Sequence, residues 1–600
     1  MTSGSAVPVL VLATTRRSGR RLRRLLPELG ISTWMPLVPD YATLTALDSA
    51  LEGVASRQRI RKELDACVAR LRRPFFELTA ALAERHESLA WWAGSIAERN
   101  TNESDLFLHC SYLNLAADRI ADGRSLCVVC DAPALRSSIA AIAGRAGYVV
   151  RRAGWRVPRL RDTWLRSPIA LAKGLAEVAI RLAAVRACLP ASPVVSATDV
   201  VISSWLERGS IDHHGLAVDR YFPGLAPYYR EHSLGAITVF TVADTLRNFW
   251  RAIRSWRPRG GEVLLEQYLR ASDLVFPLGV WLAQRRFEFS DATLGGHDVA
   301  RLFRASLWTQ PVSVLDVLHF PLMRRLRNAG VSPKIVMLAF ENLITDKMAI
   351  LGARRFMPGT AVYGFCHMPL KPNVLSCYTD VHERTFAPLP DRVISNGPRY
   401  RDILVQEHYP PERVTMGAAL RYRHLHDTAA PASVPSGRRR SVLVVLTIKR
   451  DATLELLNKV AGALPRFDGL DVQVRPHPFA RGHGKLAVVM LPGARLVGGT
   501  MREALDAADV VVCSASGAAL DSALAGKPLI RVASETQLDM DPLGWFEEFD
   551  RPVGTSEELT GRMTTLLAAT PDALSFRHDV ASFFLPATPE TMRAFLPDAG

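Results

Sequence analysis

The stretch "DVVVCSASGAALDSALAGKPLIRV", Asp509 to Val532, decides how this chain is read. Three valines form a strand that ends at Cys513. Ser514, Ser516 and Gly517 then open a helix, and Gly-Lys-Pro turns the chain into a second strand. Strand, turn, helix and strand in this order make one repeat of a parallel α/β sheet. Backbone N–H groups and the helix dipole at such a turn favour a phosphate. The small side chains let it approach, and the hydroxyls add donors. A serine capping a buried helix gives the same pattern without a ligand.

The same rhythm extends upstream. Strand "SVLVVLTI" (441–448), helix Asp451–Leu464, strand "DVQVRPHP" (471–478), strand "ARLVGG" (494–499) and helix Met501–Ala507 precede the opening stretch. Parallel strands share a carboxyl edge, so Arg475 and His477 should reach the edge that carries the Ser/Gly turn. A cation and an imidazole there suit a diphosphate or nucleoside monophosphate leaving group. Pro478 stops the strand, and Lys527 is a further candidate phosphate ligand. An earlier series, "KIVMLAF" (334–340), "AVYGFCH" (361–367), "DRVISNG" (391–397) and "ERVTMG" (412–417), has the βα rhythm of a second doubly wound domain. Strands Thr198–Trp205 and Gly235–Val242 lead into it. Strands Pro8–Ala13, Ser125–Cys130 and Gly147–Arg151 belong to a further α/β region.

Linkers are expected at Pro190–Pro193 and at the Ala/Pro/Ser/Gly stretch His426–Arg440. They divide the chain into an α/β region (1–190), a Rossmann-like domain (191–430) and a second Rossmann-like domain (431–600). The expected class is α/β with two Rossmann-like domains facing a crevice.

The 600 residues carry 74 Lys and Arg against 59 Asp and Glu, a net charge of +15. This favours an anionic partner: nucleic acid, a membrane surface or a phosphorylated substrate. The arginines are dispersed and no nucleic-acid-binding module is present, so nucleic acid is set aside. No stretch approaches the roughly 18 apolar residues of a membrane span. The N-terminal apolar run precedes its arginines, unlike a signal peptide. A cytoplasmic protein, in solution or peripheral on the membrane, is expected. Two stretches suit an anionic membrane surface. In Ser167–Pro193, Lys173, Glu177 and Arg181 make one polar stripe, which equally suits a helix packed between domains. In Leu246–Gly261, arginines alternate with Phe249, Trp250 and Trp256, which also suits an ordinary surface helix with arginines stacked on tryptophan. "LAWWAGSIAERN" (Leu89–Asn100) reads as one amphipathic helix. Eight cysteines are scattered, and the Cys127/Cys130 pair lies in an apolar strand, so no metal site is expected.

"RPHP" followed by "S-x-S-G-x-A-L-D-S-A-L-A-G-K-P-L-I" resembles the C-terminal half of bacterial GT-B glycosyltransferases of surface polysaccharides. These include the Kdo transferases of capsule and O-antigen and the polysialyltransferases. CDP-glycerol glycerophosphotransferases are similar. "FENLITDKMAILGARRFMPGTAVYGFCHMPLKPN" resembles the same family in the other half, and "WW-x-x-S-x-A-E-R-N" near Trp91 resembles surface-carbohydrate biosynthesis proteins. The likeness is fairly continuous from about 330 to 535 and patchy before. It implies a metal-independent transferase with a nucleotide-sugar donor, best an acidic sugar on CMP, and no other cofactor. The acceptor would be a glycan or lipid-linked glycan. His477 matches the His-Pro histidine, and Ser514 and Ser516 match the serine motif. Glu341 and His367 end neighbouring strands as alternative general bases. The double-acidic-plus-glycine motif of polysialyltransferases is absent, which leaves donor and base open. Glycerophosphate transfer and a non-catalytic scaffold remain alternatives.

Overall fold

The computed structural model describes residues 7–15, 18–154, 165–189, 198–207, 209–426, 439–478, 480, 482–514, 516–569 and 579–598. The expected linker Pro190–Pro193, and 427–438 of the other, lie outside the described residues.

Three parallel sheets organise the chain. The third consists of Arg495–Leu496, Asp471–Arg475, Ser441–Val445, Val510–Cys513 and Leu529–Arg531, side by side in that order. Numbered along the chain within the sheet, that is 3-2-1-4-5, the Rossmann order. Its central strands are buried on both faces, which is why they read as unbroken valine runs. The second sheet runs Glu262–Leu264, Ala236–Val242, Val200–Leu206, Ile335–Ala339, Ala361–Phe365, Arg392–Ser395, Val414–Met416. This is the same order continued, 3-2-1-4-5-6-7. Two Rossmann-like sheets facing a crevice make the architecture GT-B-like. The first sheet, Ser56–Arg57, Thr33–Pro36, Leu126–Val129, Val9–Ala13 and Val149–Ala153, has the different order 3-2-4-1-5.

The sequence pattern kept 431–600 in one unit, yet Val580–Phe595 packs on the second sheet. Leu585 N–H donates to Asn396 O (2.8 Å), and Tyr229 Oη donates to Phe595 O (2.8 Å). Gly397 permits the approach, because a Cβ there would lie 2.4 Å from Phe583 O.

The first unit is not a loose appendage. One apolar core runs through Leu64 and Phe107 of the first unit, Leu338 and Tyr378 of the second, and Leu520 and Leu543 of the third. "LAWWAGSIAERN" is not one helix. It forms Leu89–Trp92 and Ser95–Glu98, separated by an extended Gly94, and Arg99 takes the left-handed conformation (φ 54°). Trp91 and Trp92 are both buried in the core. Glu98 and Arg99 reach the second unit. Glu98 accepts from Ile344 N–H (3.2 Å), and Arg99 donates to Glu383 (3.0 Å) and Tyr378 O (3.2 Å).

The structure distinguishes the readings of the two amphipathic stretches. On helix Arg166–Cys188 the polar stripe turns inward at Arg181, while Lys173 stays exposed. Arg181 is buried, bonds Val242 O and Asp244 O, and lies over the Phe249 ring. The packed-helix alternative therefore describes this stripe. In helix Leu246–Ser255 and beyond, Phe249 and Trp256 are core residues, and only the arginine face meets solvent. Cys127 and Cys130 enter cores on opposite faces of their sheet, as alternation along a strand requires, so they cannot share an ion. No described helix is long and apolar enough to cross a membrane.

Candidate functional site

The strands of the second sheet deliver Glu207, Glu341 and His367 at their carboxyl ends, just beyond Leu206, Ala339 and Phe365. His367 Nε2 and Glu341 Oε1 are 3.0 Å apart. Burial alone would raise the Glu341 pKa. The hydrogen bond and charge of His367, with Arg421 and Lys371, hold it below the ordinary carboxylate value. Glu341 is therefore ionised at neutral pH. The Tyr221 ring meets His367 edge-on at 4.8 Å, and the Arg421 guanidinium lies 5.0 Å from the centre of the same ring. Tyr221 Oη donates to Glu207 (2.5 Å).

Glu207 is near enough to His477 of the third sheet for its charge to act on the imidazole. Burial and the neighbouring His483 lower the His477 pKa, against the opposing pull of Glu207. His477 is thus largely neutral near pH 7 rather than a cation. Pro478 follows it on the exposed side of the turn.

The serine turn divides its labour. Ser516 is the N-cap of helix Gly517–Leu524, and its Oγ accepts from Ala518 N–H (3.3 Å). Ser514 is buried at the strand end, and its Oγ has no partner among the described residues. A Cβ on Gly517 would meet nothing within 4 Å, so the approach to the turn is open. The structure thus brings Glu341, His367, His477, Pro478, Ser514, Ser516 and Gly517 to the edges of one crevice.

Two expected phosphate ligands point elsewhere. Arg475 bonds the carbonyls of Gly498 (3.0 Å) and Gly499 (2.8 Å), bracing a neighbouring loop. Lys527 donates to Asp506 O (3.4 Å) and Ala508 O (3.2 Å) at the amino edge of the sheet, opposite Ser514. A helix-to-strand turn in a parallel sheet lies on that edge, so Lys527 belongs there. Sequence reasoning missed Glu207, Tyr221, Arg421 and Lys371. Glu207 carried a usable signal, being the first charge after an apolar strand. Among the described residues no group of three His, Cys, Asp or Glu is placed to hold a metal ion.

Behind Glu341 lies a buried polar network. Asn342 sits at φ 57°, and Lys347 Nζ bonds both its backbone oxygen and its side-chain oxygen (2.9 Å to the latter). Asp346 Oδ2 accepts from Glu341 N–H (3.1 Å) and Leu343 N–H (3.0 Å). Burial nevertheless pushes the Asp346 pKa up to about 7. A pKa raised on folding stabilises the protein below the unfolded value near 3.8, and that stability is lost as pH rises towards about 7. Asp346→Asn keeps one oxygen for both N–H groups and cannot ionise. We expect it to be about 1–3 kcal/mol more stable than wild type at pH 8, with a smaller difference or none at pH 4. Urea denaturation at the two pH values checks this, and a variant weaker at pH 8 contradicts it.

No family model matches the chain, and no curated protein matches it. Among solved structures it is similar to the S. aureus MnaA–UDP co-structure, with 11% identity and TM-score 0.38 over 66% of this chain and 93% of that one. It is similar to UDP-GlcNAc 2-epimerase from Neisseria meningitidis bound to UDP-GlcNAc, at 10% and 0.38 over 66% and 97%. It is also similar to Acinetobacter baumannii MurG, at 13% and 0.33 over 66% and 97%. At such values the likeness says nothing about substrate.

Proposed function

We propose that the chain is a glycosyltransferase that moves a sugar from a nucleotide donor to a glycan acceptor. The observation that carries this is the pairing of two strand ends across one crevice. An ionised Glu341 held by His367 stands on one side, and neutral His477 with the open serine turn stands on the other. The leaving phosphate would sit at Ser514–Gly517 with a hydrogen bond from His477. The acceptor hydroxyl gives its proton to Glu341 and attacks the anomeric carbon. The bond from that carbon to the phosphate oxygen breaks, and the nucleotide leaves with the electron pair. Protein donors aimed at the developing phosphate charge supply the stabilisation.

The finer reading is an acidic sugar on CMP, transferred to a lipid-linked surface polysaccharide at the inner face of the cytoplasmic membrane. The motif resemblance supports the donor and pathway. The solvent-facing Arg247, Arg251 and Arg254 of one helix support an anionic membrane surface.

Labelled CMP-, UDP- and GDP-sugars and CDP-glycerol, offered with membrane lipid extract, test this. Label should enter a lipid or glycan product from one sugar donor, and His477→Ala should slow transfer about 10²- to 10³-fold. Transfer from CDP-glycerol alone would make the enzyme a glycerophosphotransferase. No transfer from any donor would favour a scaffold.

A further inference from the structure

The three units meet around a cavity of about 140 Å³ that adjoins the serine turn. Its lining includes Lys371 of the second unit, Lys449 and Ser514 of the third, and Asn102 and Asp105 of the first. The third unit adds the loop Ala533–Met540, which the first unit grips. Arg61 donates to Ser534 O (2.7 Å) and pairs with Asp539 (3.2 Å), Gln537 donates to Pro39 O (3.0 Å), and Tyr112 Oη donates to Thr536 O.

Three polar groups in this lining lack partners among the described residues. Ser514 is 8% exposed, and its hydroxyl bonds nothing. Lys371 makes no hydrogen bond or ion pair through its ammonium group, although it is largely enclosed and its pKa is lowered by burial. Lys449 likewise has none. Lys371 feels the charges of Glu341 and Asp541, but no carboxylate bonds either ammonium group, and the two repel each other, a cost that a bound anion reduces. Of the two aspartates in the lining, Asp539 is already paired with Arg61, and Asp105 is exposed at the mouth.

We propose that this cavity binds a second anionic group of the donor, beyond the leaving phosphate at Ser514, and that the first unit builds its wall. The proposal deepens the transferase reading and rests on it for the identity of the ligand. The group is the second phosphate of a nucleoside diphosphate donor or a sugar carboxylate. Either accepts charge-assisted hydrogen bonds from both lysines. The first unit is then part of the donor site rather than a separate accessory.

Calorimetric titration of the full chain with inorganic pyrophosphate is the direct test. Wild type should bind it, and Lys371→Ala/Lys449→Ala should bind it about tenfold or more weakly. Lys449→Ala alone, at an exposed position that folding does not depend on, should show part of the loss. No pyrophosphate binding by wild type, or equal binding by wild type and both variants, overturns the proposal. Nucleotide arms identify the source. A lysine-dependent advantage of CDP and UDP over CMP assigns a second phosphate. A lysine-dependent advantage of CMP-N-acetylneuraminate over CMP, with CDP equal to CMP, assigns a carboxylate. Lysine-dependent pyrophosphate binding with no nucleotide binding would keep the anion site and overturn the transferase reading instead.

Discussion

Glu341→Gln lowers kcat by about 10²- to 10⁴-fold on this account, the range for removing a positioned general base. The substitution keeps the size and hydrogen-bonding reach of the side chain, so the crevice should keep its shape. It removes the negative charge that His367, Arg421 and Lys371 maintain. The pH profile separates a base from a residue that only orients His367. With the Glu341 pKa below its ordinary 4.5, the wild-type acid limb should fall at low pH and be absent from the variant's residual activity. His367→Ala should move that limb upward, because Glu341 loses its main partner. A wild-type rate in Glu341→Gln would transfer the role of base to His367 or Glu207.

Arg99→Ala destabilises the fold by about 3–5 kcal/mol, the cost of leaving a buried charge without its partner. Arg99 and Glu383 are 2.8 Å apart with side chains only 1% exposed, and Arg99 also bonds Thr79 (3.2 Å). Removing the guanidinium strands the Glu383 carboxylate between two units. Arg99→Met with Glu383→Leu should recover much of the loss, since apolar replacement of both members is often near neutral. Urea denaturation of the three proteins reads this directly. A single variant within about 0.5 kcal/mol of wild type would contradict the role given to the pair.

These particulars show what the sequence could disclose. The strands of the second and third sheets were legible because burial on both faces forces valine-rich runs and a parallel sheet forces the turn after each. Thr33–Pro36 and Ser56–Arg57 were not, being too short to carry a pattern. At the site, residues within one βα turn were legible from the shared carboxyl edge. That rule placed His477, Ser514, Glu341 and His367. It fails for direction of reach: Arg475 sits on the right edge but turns to Gly498 and Gly499. Contacts between distant segments were invisible. Nothing near Leu89–Asn100 shows that Glu98 would cap the helix following Glu341, or that Arg99 would pair with Glu383. The cavity at Lys371 and Lys449 depends on the same long-range packing.

The central claim is that the crevice binds a nucleotide through the serine turn and His477. Thermal melts of wild type and His477→Ala with CMP, CDP, UDP and GDP test it most directly. A nucleotide at about 100 times its dissociation constant should add roughly 2.7 kcal/mol of stability. One nucleotide, best CMP, should stabilise wild type, and His477→Ala should lose most of the shift. No stabilisation by any nucleotide, or an equal shift in the variant, would contradict it.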